Sequence, residues 1–129
     1  MKKSFRERLK EGLIVGDGAM GTLLDLYEYN ELPHELQNIK NPDIVERVHR
    51  EYIAAGSEVI ESNTFSANRL RLSQFHLQDK LREINQRGVE IAQSAADGNV
   101  YVAGSIGPTG MLLEPIGKVK RQQARDAFK

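Results

Sequence analysis

Residues 13 to 22 read LIVGDGAMGT, and Gly16, Gly18 and Gly21 within that run spell G-x-G-x-x-G. Glycines at this spacing let backbone N–H groups come close to an anion, a pyrophosphate in a dinucleotide loop or a carboxylate elsewhere. The successive amides of Gly18, Ala19, Met20 and Gly21 can form a concave donor set, and the Asp17 carboxylate can orient the loop or meet an ammonium group. A tight turn at Asp17-Gly18 without any ligand is the alternative. Two more polar stretches end apolar runs. Glu61, Ser62, Asn63 and Thr64 offer a carboxylate, an amide and hydroxyls, the few placed polar groups that orient a small ligand. SIGPTG, with Gly107 in it, suits a rigid loop whose backbone lines a pocket or simply turns the chain. Asn63 and Thr64 can equally hydrogen-bond their own turn, and Asn68 reads as the cap of a short helix through RLRLSQF.

Metal chemistry finds little support in these residues. His34, His49 and His76 are 15 and 27 residues apart, which is not ligand spacing, and they read as surface or packing histidines. There is no cysteine, which removes disulfides, a thiolate nucleophile and any Cys-held metal from this chain.

Apolar periodicity sets the elements that hold these groups. Residues 5–12 read as a short helix closed by Gly12, and GLIVG (12–16) as a strand buried on both faces. Asn41 can cap a helix with Pro42 in its first turn and Ile44, Val45, Val48, Tyr52 and Ile53 on one face, ended by Gly56. EVIES (58–62) is a second strand. Asp79 is expected to cap a long helix whose face carries Leu81, Ile84, Gly88, Ile91, Ala92 and Ala95, stopped at Asp97-Gly98. Gly88 costs about 1 kcal/mol of helix propensity, so close packing is the expected reason for it. VYVAGS (100–105) is a third strand, and VKRQQARDAFK starts another helix. Alternating strands and helices make parallel βα units, either an open doubly wound sheet or a (β/α)8 barrel, with ligand loops at the C-terminal strand ends.

A dinucleotide loop carries two further requirements: a helix opening inside the glycine run, and a ribose-binding acid about 20 residues on. TLLDLYEYNELPHELQNIKNP holds barely two turns before Asn30 and Pro33, so the crossover helix is expected only near residue 42. Glu61 comes 40 positions after Gly21. Both requirements fail on this reading. Composition narrows the partners further: 18 basic residues balance 18 acidic ones, so no net field draws in nucleic acid or an anionic membrane. No apolar run has membrane-spanning length, and a cytoplasmic address is expected by default.

GDGAMGTLL, ELPHELQNIKNPDIVERVHREYIAAGSEVIESNTFSANRLRLSQF and VAGSIGPTG, taken together, closely resemble the N-terminal part of the homocysteine S-methyltransferase family. That family includes the homocysteine-binding barrel of cobalamin-dependent methionine synthases and the bacterial enzymes that join such a domain to a methylenetetrahydrofolate reductase, which this stretch is most like. The resemblance implies an α/β fold in which residues 1–129 supply the first three βα units of a (β/α)8 TIM barrel, with the remainder missing. It also implies transfer of a methyl group to a homocysteine thiolate stabilised by zinc, the metal being held by three cysteines late in the domain. The donor can be methylcobalamin, a methyltetrahydrofolate, S-methylmethionine or betaine. The family places the amino-acid end of homocysteine at the first loop, so Asp17, Gly18, Ala19, Met20 and Gly21 are expected substrate-binding residues, together with Glu61, Asn63, Thr64 and Gly107. A chain without cysteine is expected to be inactive by itself. Exposed strand edges make a homo-oligomer one expectation. The alternatives are a non-catalytic half-barrel that binds a small amino acid and a nucleotide-binding α/β domain.

Overall fold

The structure, a computed structural model describing residues 2–129, opens with a helix whose start is set by local chemistry. α1 (Phe5–Leu9) begins at Ser4, whose side chain accepts from the Glu7 N–H while the Glu7 carboxylate accepts from the Ser4 N–H. It stops at Lys10, before the expected Gly12. Arg8 ties this helix to the body of the chain, reaching Glu58 at 2.8 Å and the Leu13 carbonyl at 2.9 Å.

The first expected strand is corrected by the structure. Residues 12–16 form no regular strand; Gly16 makes a single parallel bridge to Val59, and the Val15 carbonyl accepts from the Glu58 and Val59 N–H groups at 2.8 and 3.2 Å. Nor is the run buried, with Leu13 94% and Val15 54% exposed. A strand is buried on both faces only when layers cover both, and among the described residues none covers these side chains.

The segment after Gly18 brings a second correction. α2 (Met20–Leu26) starts inside the glycine run, capped at Ala19 without a side-chain hydrogen bond, whereas the sequence pattern allows barely two turns only after Gly21; the crossover helix α4 opens at Pro42 as expected. The early start has its cause in packing, because Leu24 is fully buried with Ile44, Val45, Val48 and Ile91. One of the two dinucleotide requirements is thereby met, while the 40-residue gap to Glu61 stands. A 3-10 turn (His34–Leu36) and α3 (Gln37–Lys40) complete the connection.

α4 (Pro42–Ala54) and α6 (Leu81–Ala96) carry the expected apolar faces and pack on each other and on the sheet. Their caps differ from expectation. The Asn41 side chain makes no cap bond and reaches Gln37 instead at 2.7 Å. Asp79 lies in a 3-10 turn (Gln78–Lys80), and α6 starts from Lys80. Burial of Ile84 and Ile91, each worth roughly 1.5–3 kcal/mol, fixes α6 far more strongly than a cap of about 1 kcal/mol.

β1 (Val59–Glu61) and β2 (Tyr101–Ala103) run parallel, with Val59, Ile60 and Glu61 beside Tyr101, Val102 and Ala103. Ile60 is fully buried against Ala92, Ala95 and Ala96 of α6. The small alanine face of α6 is what lets a helix lie close on so short a sheet. Gly88 meets its expectation: a Cβ there would lie 2.7 Å from Asn38 Nδ2 and 2.8 Å from Thr64 Cγ2. α5 (Arg69–Ser73) is capped by Asn68 as read from the sequence, and α7 (Arg121–Ala127) ends the chain's regular structure. The whole is an α/β fold with a small parallel sheet. Among the described residues no helix is long and apolar enough to cross a membrane.

Candidate functional site

Three chain segments end side by side at the C-terminal edge of the sheet. The segment beside β1 ends at Asp17, β1 ends at Glu61, and the chain leaving β2 passes through Ser105. Backbone and side chains lock these ends together. The Asp17 N–H donates to the Val59 carbonyl at 3.0 Å, and Asp17 Oδ2 accepts from the Glu61 N–H at 2.9 Å. Ser105 Oγ donates to Glu61 Oε2 at 2.9 Å. Two carboxylates therefore share one rim.

Above this edge lies a cavity of about 520 Å³. It is lined by Asp17, Gly18, Ala19, Met20 and Gly21, and further round by Glu61 and Asn63. Seven of the nine expected residues thus meet at one hollow. Thr64 and Gly107 do not; they line a neighbouring hollow of about 690 Å³. Thr64 is buried, and its hydroxyl donates to the Ser105 carbonyl at 2.8 Å while taking the Ser62 hydroxyl at the same distance. The Gly107 N–H donates to the Phe65 carbonyl at 2.9 Å.

Electrostatics at the rim favour a cation. Partial burial raises the Asp17 pKa above the usual carboxylate value, and the Glu61 charge adds to the rise against the stabilising hydrogen bond from the Glu61 N–H. A bound ammonium group would relieve both penalties. Gly18 keeps this corner tight: a Cβ would lie 2.8 Å from the Tyr52 hydroxyl, which donates to the Ala19 carbonyl at 3.0 Å. The first-turn N–H groups of α2 have no side-chain cap, which leaves them free for an acceptor.

Asn63 has two roles in the geometry. It lines the cavity, yet it is 95% buried and exchanges hydrogen bonds with Asn38, donating to Asn38 Oδ1 at 2.9 Å and accepting at its carbonyl from Asn38 Nδ2 at 2.7 Å. This pair fixes the turn after β1 against α3.

Other cavity residues were not singled out from sequence. His34, read as a surface or packing histidine, lines the cavity and donates through Nε2 to Asp25 at 2.8 Å. Glu35 is buried and accepts from the Ser66 N–H at 2.6 Å. Arg71, Phe65 and Phe75 complete one wall. None has a local spacing that marks it, because α5 and the 3-10 turn are brought to the sheet edge only by tertiary packing.

The family model described as homocysteine S-methyltransferase matches residues 14–129. The chain belongs to the homocysteine S-methyltransferase family. It is 38% identical over 135 residues to the methionine synthase of Mycobacterium leprae (strain TN), an alignment covering 95% of this chain and 11% of that protein. The methionine synthase of Mycobacterium tuberculosis (strain ATCC 25618 / H37Rv) is 36% identical over 133 residues, 93% of this chain and again 11% of the relative. The chain thus spans about a tenth of the length of these curated relatives. Among solved structures, the metallated form of the homocysteine methyltransferase MmuM from Escherichia coli matches with a TM-score of 0.68 and 27% identity, over 81% of this chain and 41% of that one. Its oxidized form matches with a TM-score of 0.71 at 24% identity, over 84% of this chain and 42% of that one, which bears on the fold alone.

Proposed function

We propose that residues 1–129 are the N-terminal part of a (β/α)8 barrel that methylates homocysteine, and that the cavity at the sheet edge holds the amino-acid end of the substrate. The observation that carries this reading is the meeting of Asp17, the Gly18–Gly21 loop and Glu61 around one cavity in a chain of this family. The superposition of four-fifths of the chain on two-fifths of the E. coli enzyme supports an incomplete barrel.

The roles follow from charge and hydrogen-bond polarity. The amides of the Gly18–Gly21 loop and the first turn of α2 receive the substrate carboxylate. Asp17 and Glu61 receive its ammonium group, and Asn63 holds the wall behind them through Asn38. In the reaction the sulfur forms a bond to the methyl carbon, the donor–methyl bond breaks with its electron pair left on the donor, and the thiol proton is released. These residues bind and orient the substrate for that displacement. Zinc does not fit the donor set present: the chain has no cysteine, and no three His, Asp or Glu side chains converge among the described residues.

Titration of the protein with L-homocysteine, followed through the backbone amide resonances, tests this function. Shifts centred on residues 17–21 and 61–63 are expected. Absence of these shifts at about 10 mM ligand, a concentration that captures even weak millimolar binding, would refute it, as would shifts produced by NAD instead.

A further inference from the structure

Arg71 brings a positive charge to the cavity that Asp17 and Glu61 also line. Among the described residues no acidic side chain pairs with it. Its guanidinium donates from Nη1 to Gln74 Oε1 at 2.6 Å and lies over the Phe75 ring at 5.6 Å from the centroid. Most of its five N–H donors therefore remain available, and a guanidinium has the planar fork that matches a carboxylate.

The arginine is held in place from two sides. The Asn68 side chain accepts from the Arg71 N–H at 2.9 Å and donates to the Pro108 carbonyl at 2.9 Å, joining α5 to the loop after β2. In that loop Gly110, at φ +74°, leaves room for the arginine stem, since a Cβ there would lie 2.9 Å from Arg71 Cδ.

Size and reaction then narrow the ligand. A cavity of about 520 Å³ falls in the range that encloses drug-sized molecules, well beyond one small amino acid. Methyl transfer requires the donor's methyl group in contact with the substrate sulfur, so the donor must approach this cavity. The glycine loop and the two carboxylates already satisfy both ends of an amino acid, which leaves Arg71 unused.

We propose that Arg71 binds a carboxylate of the methyl donor, with Phe65 and Phe75 flanking the donor's apolar part, so that the donor is a carboxylate-bearing molecule. This rests on the function proposed above. The test measures binding by ligand-observed NMR to the unsubstituted protein, Arg71→Ala and Arg71→Lys. The probes are betaine, S-methylmethionine and 5-methyltetrahydrofolate, each compared with its methyl ester, and L-homocysteine. At least one donor should bind the unsubstituted protein about tenfold or more tighter than it binds Arg71→Ala, with a matching loss for its ester and partial recovery in Arg71→Lys. Homocysteine should bind all three proteins alike. The inference is overturned if no donor distinguishes acid from ester, if Arg71→Ala binds every donor as well as the unsubstituted protein, or if homocysteine weakens in Arg71→Ala as much as the donor does. Failure of homocysteine to bind even the unsubstituted protein would instead overturn the reading of the cavity on which the donor site rests.

Discussion

Replacing His49 by Leu should flatten the loss of stability that this fold suffers on acidification. His49 lies on α4 with no exposed surface, and neither ring nitrogen has a hydrogen-bond partner among the described residues. Burial pushes its pKa from 6.5 down to about 4, against a weaker upward pull from Glu46. In the unfolded chain the imidazole titrates near 6.5. Above that pH it is neutral in both states and contributes no pH dependence. Between 6.5 and about 4 the unfolded chain takes up a proton that the folded chain refuses, so stability falls as pH falls. At about 1.4 kcal/mol per pH unit the full loss is about 3 kcal/mol, of which about 2–3 kcal/mol has gone by a pH of about 4.5. Urea unfolding of both proteins at neutral pH and at that lower pH measures the difference. Glu51 and Glu58, whose pKa values are lowered by hydrogen bonds from Tyr27 and Arg8, contribute alike in both proteins and cancel. Removing two unpartnered nitrogens from an apolar site also predicts that the Leu variant is no less stable at neutral pH. Parallel losses in the two proteins would refute the reasoning, since His49 would then titrate as it does in water.

Asp17→Ala should weaken homocysteine binding about tenfold, the scale of one charge-assisted hydrogen bond; unchanged affinity by calorimetric titration would reduce Asp17 to a turn residue. Because the Asp17 pKa is raised, the unsubstituted protein should lose homocysteine affinity on acidification earlier than an ordinary carboxylate would allow, a dependence that Asp17→Ala abolishes. Gly88→Ala gains about 1 kcal/mol of helix propensity but drives a Cβ to 2.7 Å from Asn38 Nδ2, and overpacking of about 1–3 kcal/mol should win. A higher urea midpoint for that variant would show that α6 can move away from the Asn38–Asn63 pair.

Helices α4 and α6 were legible because period and length agree, with Ile44, Val45 and Val48 on one and Ile84, Ile91 and Ala95 on the other. Their caps were not, because burial of those faces outweighs the cap that Asp79 offers. The glycine loop showed itself through its rare residue types. His34, Glu35 and Arg71 did not, since an ordinary residue in a turn or short helix acquires a role only from what is folded beside it.

Sequence pattern was enough to establish α4, β1, α6 and β2 in that order, the parallel direction of the two strands and the residue types available at their C-terminal ends. It also settled that no cysteine is present to hold a metal. Which of those ends meet was set by tertiary packing. Seven expected residues share one cavity, whereas Thr64 and Gly107 turn to another. The same packing opened α2 inside GDGAMG, because Leu24 is buried there by residues 20 and more positions away. Local pattern specifies the period and the turn; which side chains face a common space depends on long-range burial, and no window of sequence contains that information.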